Sequence, residues 1–254
     1  MSDRLVTACV IVIGNEILSG RTQDVNIAFL GERLNELGVR LMEARVIPDI
    51  EDTIVATVNE ARARFAYVFT TGGIGPTHDD ITAAAIAKAF GQKLIRNRQA
   101  VAILETSYER TGLELNEARL SMADTPEHAT LLDNPVSGAP GFQVENVFVF
   151  AGVPKIMQAM FDGMTHRLTG GEPLRERSVA VDLGEGNIAA TLVEVQDRHD
   201  GVTIGSYPYY HSGSFGVKLV LRGTDDTALD AAAAELVAAL TALGGNPYIE
   251  EAAE

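Results

Sequence analysis

Tryptophan is absent from the chain and cysteine occurs once, as Cys9. A single thiol can form no internal disulfide, which suits a reducing compartment. Cys9 lies inside the apolar run Leu5 to Ile13, where a thiol is expected to serve as a small core residue rather than a nucleophile. Basic residues are also scarce: 20 Lys and Arg stand against 35 Asp and Glu, a formal net charge of -15. A surface with so few cations argues against a general nucleic-acid or anionic-membrane binder. It leaves a phosphate ligand open, because a cradle of backbone N–H groups does not depend on global charge. No apolar stretch approaches the roughly 20 residues that cross a bilayer. Met1-Ser2-Asp3-Arg4 has neither the basic segment nor the apolar stretch of a secretory leader. The expected location is the cytoplasm.

Hydrophobic residues make up 46% of the 254 positions, enough for a sizeable core in one large domain or in a domain with a smaller companion. Leu5 to Ile13 ends at Gly14-Asn15-Glu16 and predicts a strand buried on both faces of a parallel sheet. Ile27, Leu30, Leu34 and Leu37 repeat at helical spacing and stop at Gly38; Val39 to Ile47 is a second strand. A further stripe, Ile54, Val58, Ala61 and Phe65, leads into the strand Ala66 to Thr71, then a glycine-rich loop and a helix from about Asp80 to Phe90. A helix is expected from about Arg98 to Arg110, while Gly112 to Pro126 shows no pattern. Asn134 to Gly141 is a turn-rich loop, and the short strand Val147 to Ala151 opens through Gly152-Val153-Pro154 into a helix. This alternation predicts a three-layer αβα domain with a mainly parallel sheet over residues 1–170. After Gly170-Gly171-Glu172-Pro173 the order becomes β-α-β-β-α, a small α+β domain of ferredoxin-like or KH-like type over residues 174–254, with Glu250 to Glu254 as a frayed tail.

Ligands of parallel sheets sit beyond the carboxyl ends of the strands, so the loops at Gly14 and Gly72 can share a pocket. In Gly72-Gly73-Ile74-Gly75-Pro76-Thr77-His78-Asp79-Asp80-Ile81-Thr82 the glycines allow close backbone approach, and the following helix start offers N–H groups to an anion. There is no Gly-Lys-Ser/Thr ending and no dinucleotide-type glycine spacing. Asp80 with Thr82 fits a helix cap. Two adjacent carboxylates beside a phosphate would instead repel it unless a cation intervenes, and Asp79, Asp80 and Glu16 suit Mg²⁺ or a similar metal bridging to phosphate oxygens. Asn26 either meets the ligand or caps its helix; Arg21 and Lys155 either pair with phosphates or are solvated; His78 has no identified partner. The remaining histidines lack zinc-ligand spacing, and no Gly-x-Ser-x-Gly elbow is present.

Taken together, Gly14-Asn15-Glu16-Ile17-Leu18, the segment Gly72 to Thr82, Gly138-Ala139-Pro140-Gly141, and Gly152-Val153-Pro154 with Met157 occur in the order of four motifs that the chain shares by resemblance with the competence/damage-inducible protein A (CinA) family. That family contains the molybdopterin-binding (MoCF biosynthesis, MoaB/Mog-like) domain. Ile204-Gly205-Ser206-Tyr207-Pro208 and Val217-Lys218-Leu219 are similar to the companion region of the eukaryotic FAD synthase molybdopterin-binding-like domain. The chain departs from the family at Ala151, where a proline is usual, at Ile156, where a glutamate is usual, and at Asp24, an added negative charge near the pocket.

The resemblance implies a metal-dependent pyrophosphatase, a hydrolase acting on ADP-ribose or a related nucleotide diphosphate such as FAD with Mg, Mn or Co. Its alternative is a molybdopterin-binding protein without turnover. A scaffold that keeps the fold and not the chemistry is a third reading. Asp80 and Asp79 are then the expected catalytic residues, and Asp79, Asp80 and Glu16 the metal ligands. Gly14, Asn15, Glu16, Asn26, Thr71, Gly72, Gly73, Gly75, Pro76, Thr77, Thr82, Gly138, Pro140, Gly141, Gly152, Pro154 and Lys155 are expected to bind a phosphorylated nucleotide or pterin. The resemblance also implies a homo-oligomer, and no deamidase activity is expected because the sequence stops short of a nicotinamide-nucleotide amidase domain.

Overall fold

Strand β1 (Thr7–Ile13) is apolar on both faces, and both faces are used. Cys9, Ile11 and Ile13 enter one core, Ala8, Val10 and Val12 the other. A period-2 strand buries both sets only as an inner strand of a covered sheet. A computed structural model of the protein describes residues 5–211 and 214–250. Met1-Ser2-Asp3-Arg4, and all of the predicted tail beyond Glu250, lie outside them. After β1 come α1 (Asn15–Leu18), α2 (Asn26–Glu36), β2 (Arg40–Ile47), α3 (Glu51–Arg64), β3 (Tyr67–Thr71) and α4 (Thr82–Ala89). Next are β4 (Leu94–Arg96), α5 (Arg98–Thr111), α6 (Glu117–Leu120), β5 (Asp124–Pro126), β6 (Thr130–Leu132), β7 (Gly141–Val144), β8 (Val147–Phe150) and α7 (Pro154–Met164).

The central sheet has the order β2-β1-β3-β8-β7-β6. Strands β2, β1, β3 and β8 are parallel, and β7 is antiparallel to both neighbours. Helices α3 and α4 cover one face through Ile54, Val58, Ala85 and Ile86; α2 and α7 cover the other through Leu30, Leu34, Met157 and Phe161. On that second face Phe69, Phe148, Phe150 and Phe161 pack with ring centroids 5.4–6.3 Å apart, distances that favour offset and edge-on contact. The predicted three-layer αβα architecture is therefore the observed one. Its consequence for function is that the loops after β1, β3 and β8 all leave the same end of the sheet.

Burial in the first core pushes the Cys9 thiol up to about 11, with the Arg45 charge working against the shift. The thiolate fraction at pH 8 is then on the order of one in a thousand. Native protein is accordingly expected to resist an aromatic disulfide reagent at pH 8 and to release one equivalent of thiol only in guanidinium. Fast native reaction would contradict this core placement.

The chain divides into two compact units, Met1–Gly171 and Glu172–Glu254. The second contains β9 (Arg175–Val181), α8 (Glu185–Arg198), β10 (Thr203–His211), β11 (Ser214–Gly223), α9 (Asp226–Ala242) and β12 (Tyr248–Glu250). Its sheet, β10-β11-β9-β12, is antiparallel throughout. Strand β12 extends the predicted β-α-β-β-α order to β-α-β-β-α-β, the ferredoxin-like arrangement. Val179, Leu219, Leu221 and Val195 meet Leu229, Leu236 and Leu240 in this unit's core, and Asp225 caps α9 by accepting from the Thr227 and Ala228 N–H groups. No helix among the described residues is long and apolar enough to cross a membrane.

Candidate functional site

Where β3 ends, the chain cannot continue straight: it enters Gly72 with φ +103° and Gly73 with φ +68°, left-handed values that disfavour any residue with a Cβ. The Gly72 N–H donates to the Phe150 carbonyl at 3.1 Å, tying the loop to the end of β8. The loop is then folded back onto α4 by Thr82, whose N–H donates to the Gly73 carbonyl at 3.0 Å and whose hydroxyl donates to the Gly72 carbonyl at 3.0 Å. Thr82 is fully buried and lies behind the loop. Its polar atoms shape the loop and are not free for a ligand.

Asp80 has its Oδ2 fixed by the Thr77 N–H at 2.8 Å and the Thr77 hydroxyl at 2.5 Å. The carboxylate is thus turned into its own loop instead of capping α4, which starts at Thr82 rather than at the predicted Asp80, with no side-chain cap. A Cβ on Gly75 would lie 2.7 Å from Asp80 Oδ2, so this glycine is needed to let the carboxylate approach. Asp79 is exposed, and the Thr77 hydroxyl, its own backbone N–H and the His78 charge hold its carboxyl below the usual range.

A cavity of about 490 Å³ opens over this loop. Gly72, Gly73, Ile74, Gly75, Pro76 and Asp80 form its floor; Glu16 and Thr22 come from the segment after β1. Gly152, Val153, Pro154, Ala151 and Ile156 close it from the β8–α7 side, and Met122, Asn134, Ser137 and Ala139 from the far side. Among the described residues, its charged lining is Glu16 and Asp80, with no Lys or Arg. The N–H groups of Gly73, Ile74 and Gly75 take no hydrogen-bond partner from the described residues, which leaves them to an anion or to solvent. Among the described residues, no group of three or more His, Cys, Asp or Glu side chains is placed to hold a metal ion.

Of the residues expected at the site, the structure thus brings Glu16, Gly72, Gly73, Gly75, Pro76, Asp80, Gly152 and Pro154 to one cavity. The others lie outside its lining, for identifiable reasons. Asn26 is buried and donates to the Gly152 carbonyl at 2.9 Å, bracing the start of α2 against the β8–α7 loop. The N-cap of α2 is Val25, with no side-chain cap, and Asp24 just before it accepts the Ile27 N–H at 2.9 Å. Thr71 is buried in the sheet as the last residue of β3. Gly14 is buried and donates to the Ile47 carbonyl, while the Asn15 N–H donates to Asp49 Oδ2 at 2.8 Å. Gly141 begins β7, where a Cβ would lie 2.3 Å from the Val149 carbonyl, and Pro140 is buried beside it. Asp79, Thr77, Lys155, Arg21 and His78 are exposed and line no part of it. Gly138, at φ +81°, faces away from this cavity.

Sequence reasoning missed Thr22, Met122, Asn134 and Ser137. Asn134 carried a signal, the asparagine-proline turn: its Oδ1 accepts the Val136 and Ser137 N–H groups at 3.1 and 3.0 Å, and its Nδ2 donates to Ser137 Oγ and the Ala139 carbonyl, each at 2.7 Å. Such an Asx turn sets the loop rigidly. Met122 carried none, because it arrives on a short 3₁₀ turn, Ser121–Ala123.

Residues 9–170 match the family model of a probable molybdopterin binding domain, and residues 173–246 match that of the FAD synthase middle domain. A protein of Aeropyrum pernix is 42% identical over 212 residues, covering 79% of this chain and 78% of that one. A probable FAD synthase of Caenorhabditis briggsae is 33% identical over 252 residues, covering 89% of this chain but 48% of its own length. Among solved structures, the protein CinA of unknown function from Thermoplasma acidophilum is similar with a TM-score of 0.59 and 36% identity, over 64% of this chain and 98% of that one.

Proposed function

The chain belongs to the probable molybdopterin binding domain family, and on that premise we propose that its cavity takes a phosphorylated nucleotide or pterin and hydrolyses the diphosphate of a nucleotide such as ADP-ribose or FAD. One observation carries this reading: an anion cradle of glycine-loop N–H groups shares a cavity with two carboxylates, Glu16 and Asp80, and, among the described residues, with no basic side chain. A phosphate held there by the chain alone would face uncompensated negative charge. The donor set fits a divalent ion, since carboxylate oxygens are hard ligands and phosphate oxygens complete the shell. When bound, that ion would supply charge neutralisation of the diphosphate and a more acidic water.

The chain's own residues do the rest. Thr77 fixes Oδ2 of Asp80, and the other oxygen of this cavity-lining carboxylate is the one to accept a proton from water. The Gly73, Ile74 and Gly75 N–H groups stabilise charge on the phosphoryl oxygens as it grows. In the balanced step the water oxygen bonds to phosphorus, the bridging P–O bond breaks, and two phosphate monoesters leave. The water proton passes to Asp80. The apolar wall of Met122, Ala151, Val153 and Ile156 suits the ring of the nucleotide and limits competing water.

The test is incubation with ADP-ribose, FAD and related diphosphates with Mg²⁺, Mn²⁺ or Co²⁺, following AMP release. Turnover should require the metal and stop in excess chelator. Tight binding of a phosphorylated pterin with no release from any diphosphate would transfer the conclusion to the non-hydrolytic reading, which the family's description supports.

A further inference from the structure

A second cavity, of about 620 Å³, lies on the other side of the Asn134–Gly138 turn. The turn works as a ridge between the two. Ser137 and Ala139 face the glycine-loop cavity, Asp133, Pro135 and Gly138 face the second one, and Asn134 lines both. The ridge is rigid: besides the four hydrogen bonds of Asn134, the Gly138 N–H donates to the Asn134 carbonyl at 3.0 Å. It is also seated hard against α5, since a Cβ on Gly138 would lie 2.3 Å from Ser107 Oγ.

The chemistry of the second cavity differs from that of the first. Its α5 wall presents Gln99, Thr106, Ser107 and Arg110 around an apolar strip of Ala102 and Ile103. Arg110 makes no ion pair among the described residues, and Asp133 faces it from the ridge side of the cavity. Neutral donors and acceptors interspersed with one cation and one carboxylate are the pattern that recognises several hydroxyl groups at once. They are poorly suited to a second phosphate cluster, which would need more positive charge.

Resting on the hydrolase reading above, we propose that the second cavity is a subsite for the hydroxyl-bearing half of a two-part diphosphate ester, a sugar or polyol. The nucleotide ring and the diphosphate occupy the glycine-loop cavity, and the ester crosses the Asn134 ridge. Arg110 and Gln99 then determine specificity without touching the reacting phosphorus. The chain distinguishes a diphosphate with a polyhydroxylated second group from a simple nucleotide by contacts on α5.

Calorimetry with Mg²⁺ tests this, using AMP and the non-hydrolysable methylene-bridged analogue of ADP-ribose. The wild-type protein should bind the analogue about tenfold more tightly than AMP, the size of one or two good charge-assisted hydrogen bonds. Arg110→Gln and, separately, Thr106→Val should each erase part of that gain and leave AMP affinity unchanged. Both positions are exposed on α5, so the thermal midpoint should not move. If the two variants bind the analogue as wild type does, or weaken AMP equally, the subsite is refuted while the hydrolase reading stands. If wild-type protein binds neither ligand, the hydrolase reading falls and takes the subsite with it.

Discussion

Asp80→Asn is expected to lower diphosphate hydrolysis by two orders of magnitude or more while the fold and its thermal midpoint remain intact. The exchange keeps size and shape. The asparagine Oδ1 can still accept the Thr77 N–H and hydroxyl that now hold Asp80 Oδ2, so the loop has no reason to rearrange. That orientation, however, turns an NH₂ group toward the cavity where a carboxylate oxygen stood. It removes a cation ligand, removes the proton acceptor, and puts a donor against any metal. Loss of a positioned acid–base group alone costs about 10²–10⁴-fold. Steady-state AMP release should therefore show kcat falling far more than KM rises, with Glu16→Gln producing a smaller loss in the same direction. Unchanged kcat in Asp80→Asn would remove Asp80 from the reaction centre even if the enzyme class were right.

The contrast between Asp80 and its neighbour shows how far the sequence could be read. Adjacent aspartates after a glycine loop mark a site, but one residue of backbone rotation decides which one enters it. Here the Thr77 N–H and hydroxyl, three residues earlier, fix Asp80 Oδ2, and Asp80 lines the cavity while Asp79 is exposed outside it. Thr82 and Asn26, expected to bind the ligand, lie outside the cavity lining: the Thr82 hydroxyl and the Asn26 amide Nδ2 each brace a loop by donating to a backbone carbonyl. Sequence cannot separate a ligand group from a brace because both use the same residue types.

For the fold, legibility followed length and apolar continuity. Strands β1, β3 and β8 are legible because inner strands need unbroken hydrophobic runs, whereas β2 is a half-exposed edge strand, RLMEARVI, legible from its place between Gly38 and Pro48. Strands β4, β5 and β6 have three residues each, too few for any periodicity. The sequence predicts the hairpin strands as Val202 to Ser206 and Gly216 to Arg222; in the structure they run Thr203–His211 and Ser214–Gly223. Pro208 is tolerated within β10 because β10 is an edge strand and its missing N–H interrupts no inner ladder. Ala151 and Ile156, noted only as departures from the family pattern, both line the cavity. They make that wall apolar, so the departures change what the site contacts and do not remove it.

Gly72→Ala is expected to destabilise the protein by about 3 kcal/mol or more, the largest stability effect of any single methyl addition at the site. Two costs combine. The residue holds φ +103°, which with a Cβ costs on the order of 1–2 kcal/mol. The added methyl would also lie 2.2 Å from the Ile13 carbonyl oxygen, and that oxygen belongs to the backbone of β1 and cannot swing aside. Relief requires the loop to lift away from β1, which breaks the Gly72 hydrogen bond to Phe150 and disturbs Gly152, where a Cβ would already lie 3.2 Å from Gly72 Cα. All three strand ends that form the cavity are therefore coupled through this one position. For a protein of this size the expected drop in melting temperature is about 6–12 °C. Gly91→Ala is the control: it has φ +62° but nothing within 4 Å of the new methyl, so only the conformational cost applies, roughly 1–2 kcal/mol. A large difference between the two midpoints isolates the contact with Ile13. Equal midpoints would show that the loop is free to move, and the packing of the strand ends would then not be what fixes the cavity.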